Sequence, residues 1–352
     1  MSRVSNCRSM HLFMGLSSRY LISLFAILFA VAIAGMQISA QTITFESPTY
    51  TVGNINGQNG WIKTGPYDAA VAASAVTGFG AQSLRISNGV TSGSFGDQTF
   101  SPSVTNGAGE TSSTNGGLAG GVKQNTFTAE FSIASTVPGA QQPGLAMTMS
   151  PDRGDGSRMS FLRFEDQADG IHVIFFDYQD VAPFGVTTPD DAIGCGVGDD
   201  FIGTDVSIMD RSVPNVIKIE MFFFDGPRND VVNVYVNGVL VHTGTSWEDY
   251  FRYCNEASPE NSPRTVDNLL FRASSTAVPA NLNNGFLFDN FNVTSSSSYV
   301  VDNDGQASLG NCNSTNPTFS TIQSAVTAAV AGASITVCPG TYPEFVTIDK
   351  SL

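Results

Sequence analysis

Proton-transfer chemistry needs a titratable side chain held beside a nucleophile, and this 352-residue chain carries few of the means. Beyond the first 40 residues histidine occurs only as His172 and His242, each inside an apolar, strand-like run with no nucleophile motif beside it. A Ser-His-Asp or Cys-His arrangement needs a nucleophile, a base and a third orienting group, so both histidines read as structural. The densest acidic stretch, Glu165-Asp166-Gln167-Ala168-Asp169, reads as a turn between two strands. Cys195, Cys254, Cys312 and Cys338 follow the first 40 residues, and an even number in an exported chain favours disulfides. Three pairings are possible. Cys195 with Cys254, and Cys312 with Cys338, would keep each bridge within one domain. No CxxC spacing and no neighbouring histidine support zinc. Trp247, Tyr250, Phe251 and Tyr253, with Glu248 and Asp249 between them, have the makings of an aromatic carbohydrate platform, with Trp247, Tyr250 and Tyr253 as ligand-binding candidates. The competing reading packs Trp247 and Phe251 into the core.

The elements that must position these residues are strands. The chain is rich in Gly, Ser, Thr, Asn, Phe and Val and poor in Lys, which favours strands and turns. Its net charge of −15 offers no basic face for phosphates, which argues against nucleic-acid binding. Arg3, Arg8 and Arg19, the uncharged apolar run from Leu21 to Gly35, and Ile38-Ser39-Ala40 follow one another in the order of a secretory signal. Cleavage is expected after Ala40, leaving Gln41 first. The apolar run, about 15 residues, is short of the ~20 that a spanning helix needs. No later segment is apolar and long enough to span, so the chain is expected to be secreted, extracellular or at the cell surface.

Short strands are expected at Thr42–Glu46, Ser83–Ile86, Phe127–Ile133, Leu145–Met149, Arg158–Phe164, Ile171–Tyr178, Asn215–Phe224, Val231–Val236, Val239–His242, Asn268–Arg272 and Phe286–Val293. Asn237-Gly238 is a strong hairpin signal. IHVIFFDY and VIKIEMFFF are apolar on both faces, which suits central strands with one face in the core and the other lining a covered concavity. The pattern predicts an all-β fold, an antiparallel β-sandwich or jelly roll. The stretch DVVNVYVNGVLVHTGTSWEDYFRY, followed by VDNLLFRASS and GFLFDNFNV, resembles the concanavalin A-like, laminin-G-like jelly roll, and FESPTY…GQNGW resembles the opening of such modules. The resemblance covers roughly residues 42–296. It implies a structural calcium where the first and last strands meet, at Glu46 and Asp289. Glycoside hydrolases of this type carry Glu-x-Asp-x-x-Glu on one strand, a string that this chain lacks.

A polar stretch, SSSSYVVDNDGQASLGN, reads as a linker, and the period then changes. Phe319, Ile322, Ala325, Val326, Ala329 and Val330 mark one helical face, with Ser320-x-x-Gln323 as capping box and Gly332 as stop. Strands are expected at Ser334–Val337 and Phe345–Ile348. The residues Ile322, Gln323, Ala325, Val326, Ala328, Ala329, Ile335, Val337, Pro339-Gly340-Thr341-Tyr342, Glu344 and Ile348 resemble the start of right-handed parallel β-helix proteins of the pectin-lyase-like superfamily. The resemblance implies a short capping helix and the first rung of a truncated β-helix, with Glu344 at a structural turn. One rung cannot bury its own core, so the chain is expected to be part of a longer protein. The expected organisation is a signal peptide over 1–40, a jelly roll over 41–296, a linker over 297–311 and the β-helix start over 312–352. The expected function is non-catalytic recognition of a polysaccharide or cell-surface glycan. The alternatives are a polysaccharide-degrading enzyme whose active site lies on the β-helix, and a structural surface protein.

Overall fold

The structure is a computed structural model that describes residues 39–93, 96–104, 124–153, 156, 158–178, 201–223, 230–250, 266–303, 312, 319–329, 333–350 and 352. Its strands, in chain order, are β1 (Ser39–Ile43), β2 (Gly53–Asn54), β3 (Ile62–Thr64), β4 (Asp68–Ala73), β5 (Gln82–Ser87), β6 (Gln98–Phe100), β7 (Thr126–Ser135), β8 (Ala146–Asp152) and β9 (Phe161–Gln167). They continue with β10 (Gly170–Tyr178), β11 (Phe201–Met209), β12 (Asn215–Phe222), β13 (Val231–Val236), β14 (Val239–Gly244), β15 (Asn268–Ala273), β16 (Phe286–Ser296), β17 (Ser298–Val301) and β18 (Ser334–Val337). A helix of two turns, α1, spans Ile322–Ala328.

Two antiparallel sheets form a β-sandwich. One runs β14-β13-β12-β7-β16-β5-β4-β2, with β1 paired to β16; the other runs β11-β10-β9-β8-β15-β6-β3. Alternation with period two sends one set of side chains from each sheet into a shared interior. Phe127, Ala129, Phe131 and Ile133 of β7 face Met147 and Met149 of β8, Leu162 and Phe164 of β9, and Phe271 of β15 within one buried cluster. Phe131 stacks on Phe291 at 5.2 Å and meets Phe164 edge-on at 6.3 Å, so aromatic rings join the two sheets directly. The opening motif adds Phe45, Tyr50 and Trp61 to this core, with the Trp61 indole donating to the Tyr50 hydroxyl at 3.1 Å. Asn237 and Gly238 both take positive φ, 50° and 79°, in the tight turn between β13 and β14.

The strands β2, β3, β4 and β6, all short, and the nine-residue β11 are not legible in the sequence. β4 is Asp-Ala-Ala-Val-Ala-Ala, poor in strand-forming residues, and it pairs because β5 offers a full ladder from Asp68↔Ser87 to Ala73↔Gln82. The acidic stretch read as a turn is strand through Gln167, and only Ala168-Asp169 turn.

The C-terminal part departs from expectation in four places. Ser298–Val301, expected as linker, is strand β17 and pairs in parallel with β18 from Ser298↔Ser334 to Val301↔Val337. The N-cap of α1 is Thr321, whose side chain accepts from the Ser324 amide, so the Ser320–Gln323 capping box does not form. The expected strand Phe345–Ile348 is irregular, and the Phe345 side chain lies in solvent. Glu344 does more than turn the chain: its carboxylate accepts from the amides of Ile322 at 2.7 Å and Gln323 at 2.9 Å. It thus places a negative charge where two helix amides lack partners. Cys312 and Cys338 are joined by a disulfide with Cα atoms 5.6 Å apart. Cys195 and Cys254 lie outside the described residues. Cys338 and Val300 pack with Phe222, an outward residue of β12, and Asn125 exchanges hydrogen bonds with the Ser298 backbone in both directions, so this part docks on the sandwich.

Replacing Glu344 with Ala should lower the stability of the α1 region by about 1 kcal/mol, the usual worth of a helix cap. Hydrogen exchange should quicken at the amides of Ile322 and Gln323 and stay unchanged in β7. Unaltered exchange at both helix amides would show the cap to be idle.

Candidate functional site

The seven-stranded sheet has an outer face as well as a core face, and strand register fixes which residues share it. The core takes Met147, Met149, Leu162, Phe164, Ile171, Val173, Phe175, Leu269 and Phe271. Their neighbours in sequence point the other way. One transverse row on that outer face crosses six strands: Gln98↔Arg272, Arg272↔Thr148, Thr148↔Arg163, Arg163↔Ile174 and Ile174↔Asp205. Beside it run Phe100↔Leu270↔Ser150 and, on the next strands, Phe161↔Phe176. Asn268 pairs with Asp152, and Asp152 forms an isolated bridge with Arg158.

This face is neither an ordinary wet surface nor a second core. Thr148, Ser150, Asp152 and Asn268 are buried although they point away from the core, while Arg158, Arg163, Glu165, Arg272 and Gln98 are half-buried around them. Ser150 Oγ, Asn268 Oδ1 and Arg163 Nε are shielded from solvent and make no hydrogen bond among the described residues. Buried polar atoms ordinarily have partners, so a group of them on one face marks a place where a polar partner is due. Phe161 and Phe176 lie with ring centroids 4.2 Å apart and add a half-buried apolar step to the same face.

Electrostatically the face is a set of matched pairs. Arg163 pairs with Glu165. Burial pulls the Arg158 guanidinium down, the nearby Asp152 carboxylate holds it up, and Arg272 pulls it down further. Arg272 is likewise lowered by burial and raised by Asp97 and by Tyr67. Asp97 is itself held low: burial pushes it up, but hydrogen bonds from Thr91, Ser92 and Gly93 outweigh that. At the β10–β11 side, His172 is clamped, with Nδ1 2.5 Å from Asp205 Oδ2 and Nε2 2.8 Å from Asp169 Oδ1. Burial lowers the imidazole pKa, but hydrogen bonds to the two carboxylates and their charges win, so the ring is held above its ordinary value.

The aromatic platform expected around Trp247 is corrected by its surroundings. Trp247 is 8% exposed, packs against Phe161 at 5.2 Å and Phe201 at 4.4 Å, and donates its indole N–H to the Phe176 carbonyl at 2.9 Å. It pins the segment after β14 to the other sheet rather than presenting a flat ring to a ligand. Tyr250 is half-buried against Tyr178 and Phe201. Tyr253 and Phe251 lie outside the described residues. His242 is also structural, with Nε2 3.1 Å from the buried Asp177 carboxylate.

Glu46 and Asp289, from opposite ends of the sandwich sequence, do meet, at the loop that leads into β5. Asp289 accepts from the Gly80 amide at 3.1 Å and from the Asn290 amide at 2.8 Å, and Glu46 accepts from the Gln82 amide at 3.0 Å. Burial and the Glu46 charge raise the Asp289 carboxyl to about 6, against the pull of its amide donors. No cluster of three metal-ligating side chains occurs among the described residues.

The residues of the outer face were present in the sequence pattern but not marked by it. Arg163 and Glu165 alternate with Leu162 and Phe164, which says only that they point away from the core. No protein-family model and no curated protein matches this sequence. Among solved structures the chain is similar to a mutant alginate lyase in complex with alginate trisaccharide, at 10% identity, covering 73% of this chain and 98% of that one with a TM-score of 0.42. It is also similar to the lectin UEA-II complexed with galactose, at 11% identity over 73% of this chain and 98% of that one with a TM-score of 0.35. A third is an alginate lyase from Pseudomonas aeruginosa, at 12% identity over 64% of this chain and 86% of that one with a TM-score of 0.35.

A histidine whose folded pKa lies above its unfolded value contributes stability that is full below the unfolded value of 6.5 and is lost as pH rises through the folded value. His172→Gln should therefore destabilise the protein most near pH 5 and least near pH 9, as followed by chemical unfolding across pH. An equal loss at both ends would remove the imidazolium from the clamp.

Proposed function

We propose that this protein is an exported glycan-binding β-sandwich whose ligand lies along the outer face of the seven-stranded sheet. The observation that supports it most is the row Gln98-Arg272-Thr148-Arg163, laid across adjacent strands and bordered by buried polar atoms without partners among the described residues and by the Phe161–Phe176 step. Strands stand roughly 4.8 Å apart, so a row across six of them spans about 24 Å, which suits a chain ligand better than a single sugar. Glycan sites combine an apolar step with a few fixed polar groups, and both occur here. Glycan-array screening of the chain, followed by calorimetry, tests the reading. Arg163→Ala should abolish or strongly weaken any binding found, while Lys218→Ala, on the outer face of the other sheet, should leave it intact. Equal effects of the two variants, or no glycan bound, would sink it.

Export belongs to the same reading. Its support is the ordered sequence of positive, apolar and small residues before Gln41. Cleavage after Ala40 would leave β1 as Gln41–Ile43, still paired to β16 through Gln41↔Val293, Thr42↔Asn292 and Ile43↔Phe291. N-terminal sequencing of the exported protein should begin at Gln41.

The meeting of Glu46 and Asp289 supports a structural calcium in turn. Two hard oxygen donors lie together, one of them fully buried, and neither has a cationic side chain as partner among the described residues. Backbone carbonyls and water would have to complete the shell. Calcium should raise the unfolding temperature of the protein, and Asp289→Asn should erase that increment. In chelator at pH 7.5 the same variant should be no less stable than the parent, because it removes a buried charge. A parent whose unfolding is indifferent to calcium refutes the site. The parallel pairing of β17 with β18 and the exposed Val337, Phe345 and Ile348 support reading the C-terminal part as the start of a parallel β-helix.

A further inference from the structure

Resting on the glycan reading of the outer face, we infer that its ligand is an uncharged, hydroxyl-rich polysaccharide chain rather than a polyuronate or sulfated one. The inference comes from how charge is distributed on the face. Three guanidinium groups, Arg158, Arg163 and Arg272, would by their number suit an anionic polymer. Each has its own carboxylate: Glu165 is ion-paired to Arg163, Asp152 faces Arg158 across a backbone bridge, and Asp97 acts on Arg272. Each of the three cations thus has an anion at hand, Glu165 as an ion pair, Asp152 across a backbone bridge and Asp97 as a neighbouring charge held by Thr91 and Ser92, which leaves little surplus positive charge to attract or hold a polyanion. The surroundings add negative charge. Asp205 and Asp169 flank His172 at one end, and the whole chain carries −15. A polyanion approaching this protein meets a like-signed field, and a uronate over Arg163 would also lie beside Glu165.

Paired charges suit hydroxyls for the opposite reason. A sugar hydroxyl donates one hydrogen bond and accepts others, so it is served by a carboxylate oxygen and a guanidinium N–H side by side. Arg163 with Glu165 offers that combination within one strand, and Thr148 and Gln98 on the same row are each both donor and acceptor. The Phe161–Phe176 step accepts the C–H face of a pyranose, a contact that needs no charge. Compensated pairs also keep their order when the ligand is absent, so the donors and acceptors are already set in place.

The test is isothermal calorimetry on the whole chain with two panels: neutral xylan, β-glucan and galactan oligosaccharides, and alginate, polygalacturonate and heparin oligosaccharides. Both are run at 50 and 500 mM NaCl, with chelator and with calcium. The expected result is binding to at least one neutral glycan, with an affinity that changes less than about twofold between the two salt concentrations, since no counterions are released. Arg163→Gln and Gln98→Ala should each weaken it by about fivefold or more, the loss of one or two hydrogen bonds. Glu165→Gln should also weaken neutral binding, because a carboxylate acceptor is lost. Affinity for the anionic panel that falls steeply with salt and rises in Glu165→Gln would overturn the inference while leaving the glycan site standing. Binding to neither panel would overturn both. Circular dichroism of each variant separates lost contacts from lost folding.

Discussion

The fold depends on the contact between two aromatic layers. Phe131 of β7 stacks on Phe291 of β16 and meets Phe164 of β9, while Phe288 touches Phe164 and Phe271 across the gap between the sheets. Each such ring contributes a large buried area and constrains its neighbours by edge-to-face geometry. Because sheet side chains alternate strictly, fixing these rings in the interior fixes the opposite set on the two outer faces. A one-residue slip of β9 would put Arg163 and Glu165 into the aromatic layer and Leu162 and Phe164 outside. The arrangement of the polar row is therefore a consequence of the core.

The two sheets use their outer faces differently. On the nine-stranded sheet, Lys218, Glu220 and Tyr235 make a local cluster in partial contact with water, with the lysine 4.1 Å from the tyrosine ring centroid. One corner of that face, at Phe222, is taken by the disulfide-bearing C-terminal part. On the seven-stranded sheet the outward residues Thr148, Ser150, Asp152 and Asn268 of β8 and β15 are buried, and Trp247 ties the segment after β14 to β9 and β10.

Two titratable groups give the molecule a common pH preference. His172 holds its proton more tightly in the folded state because two carboxylates face it, and Asp289 does so because it is buried beside Glu46. Both bind more proton when folded than when unfolded near neutrality, so both make stability fall as pH rises. The first joins the β9–β10 turn to the edge strand β11, and the second lies where the first and last strands of the sandwich meet. A cation at the second place would reverse its sign, which makes the two separable.

Local patterns made much of this legible. Period-two runs located most of the long strands and Asn237-Gly238 located a hairpin, since each depends on neighbours within a few positions. Features that rest on partners far along the chain were not legible. β4 is a strand because β5 pairs with it, and Trp247 is buried because Phe161 and Phe201 reach it. Glu344 caps α1 from 22 residues away, to the amide of Ile322, in place of the local box at Ser320. The coming together of Glu46 and Asp289 was anticipated by resemblance, but their burial and mutual charge were set by the loop at Gly80. The sequence by itself determined a two-faced, strand-built chain of strong negative charge, because alternation and composition act locally and additively. Only the tertiary structure decided that Arg272 of β15 stands near Asp97 beside β6 and in one row with Thr148 and Arg163, because that neighbourhood is made by register between strands the sequence keeps apart, whereas Arg163 and Glu165 are neighbours along one strand.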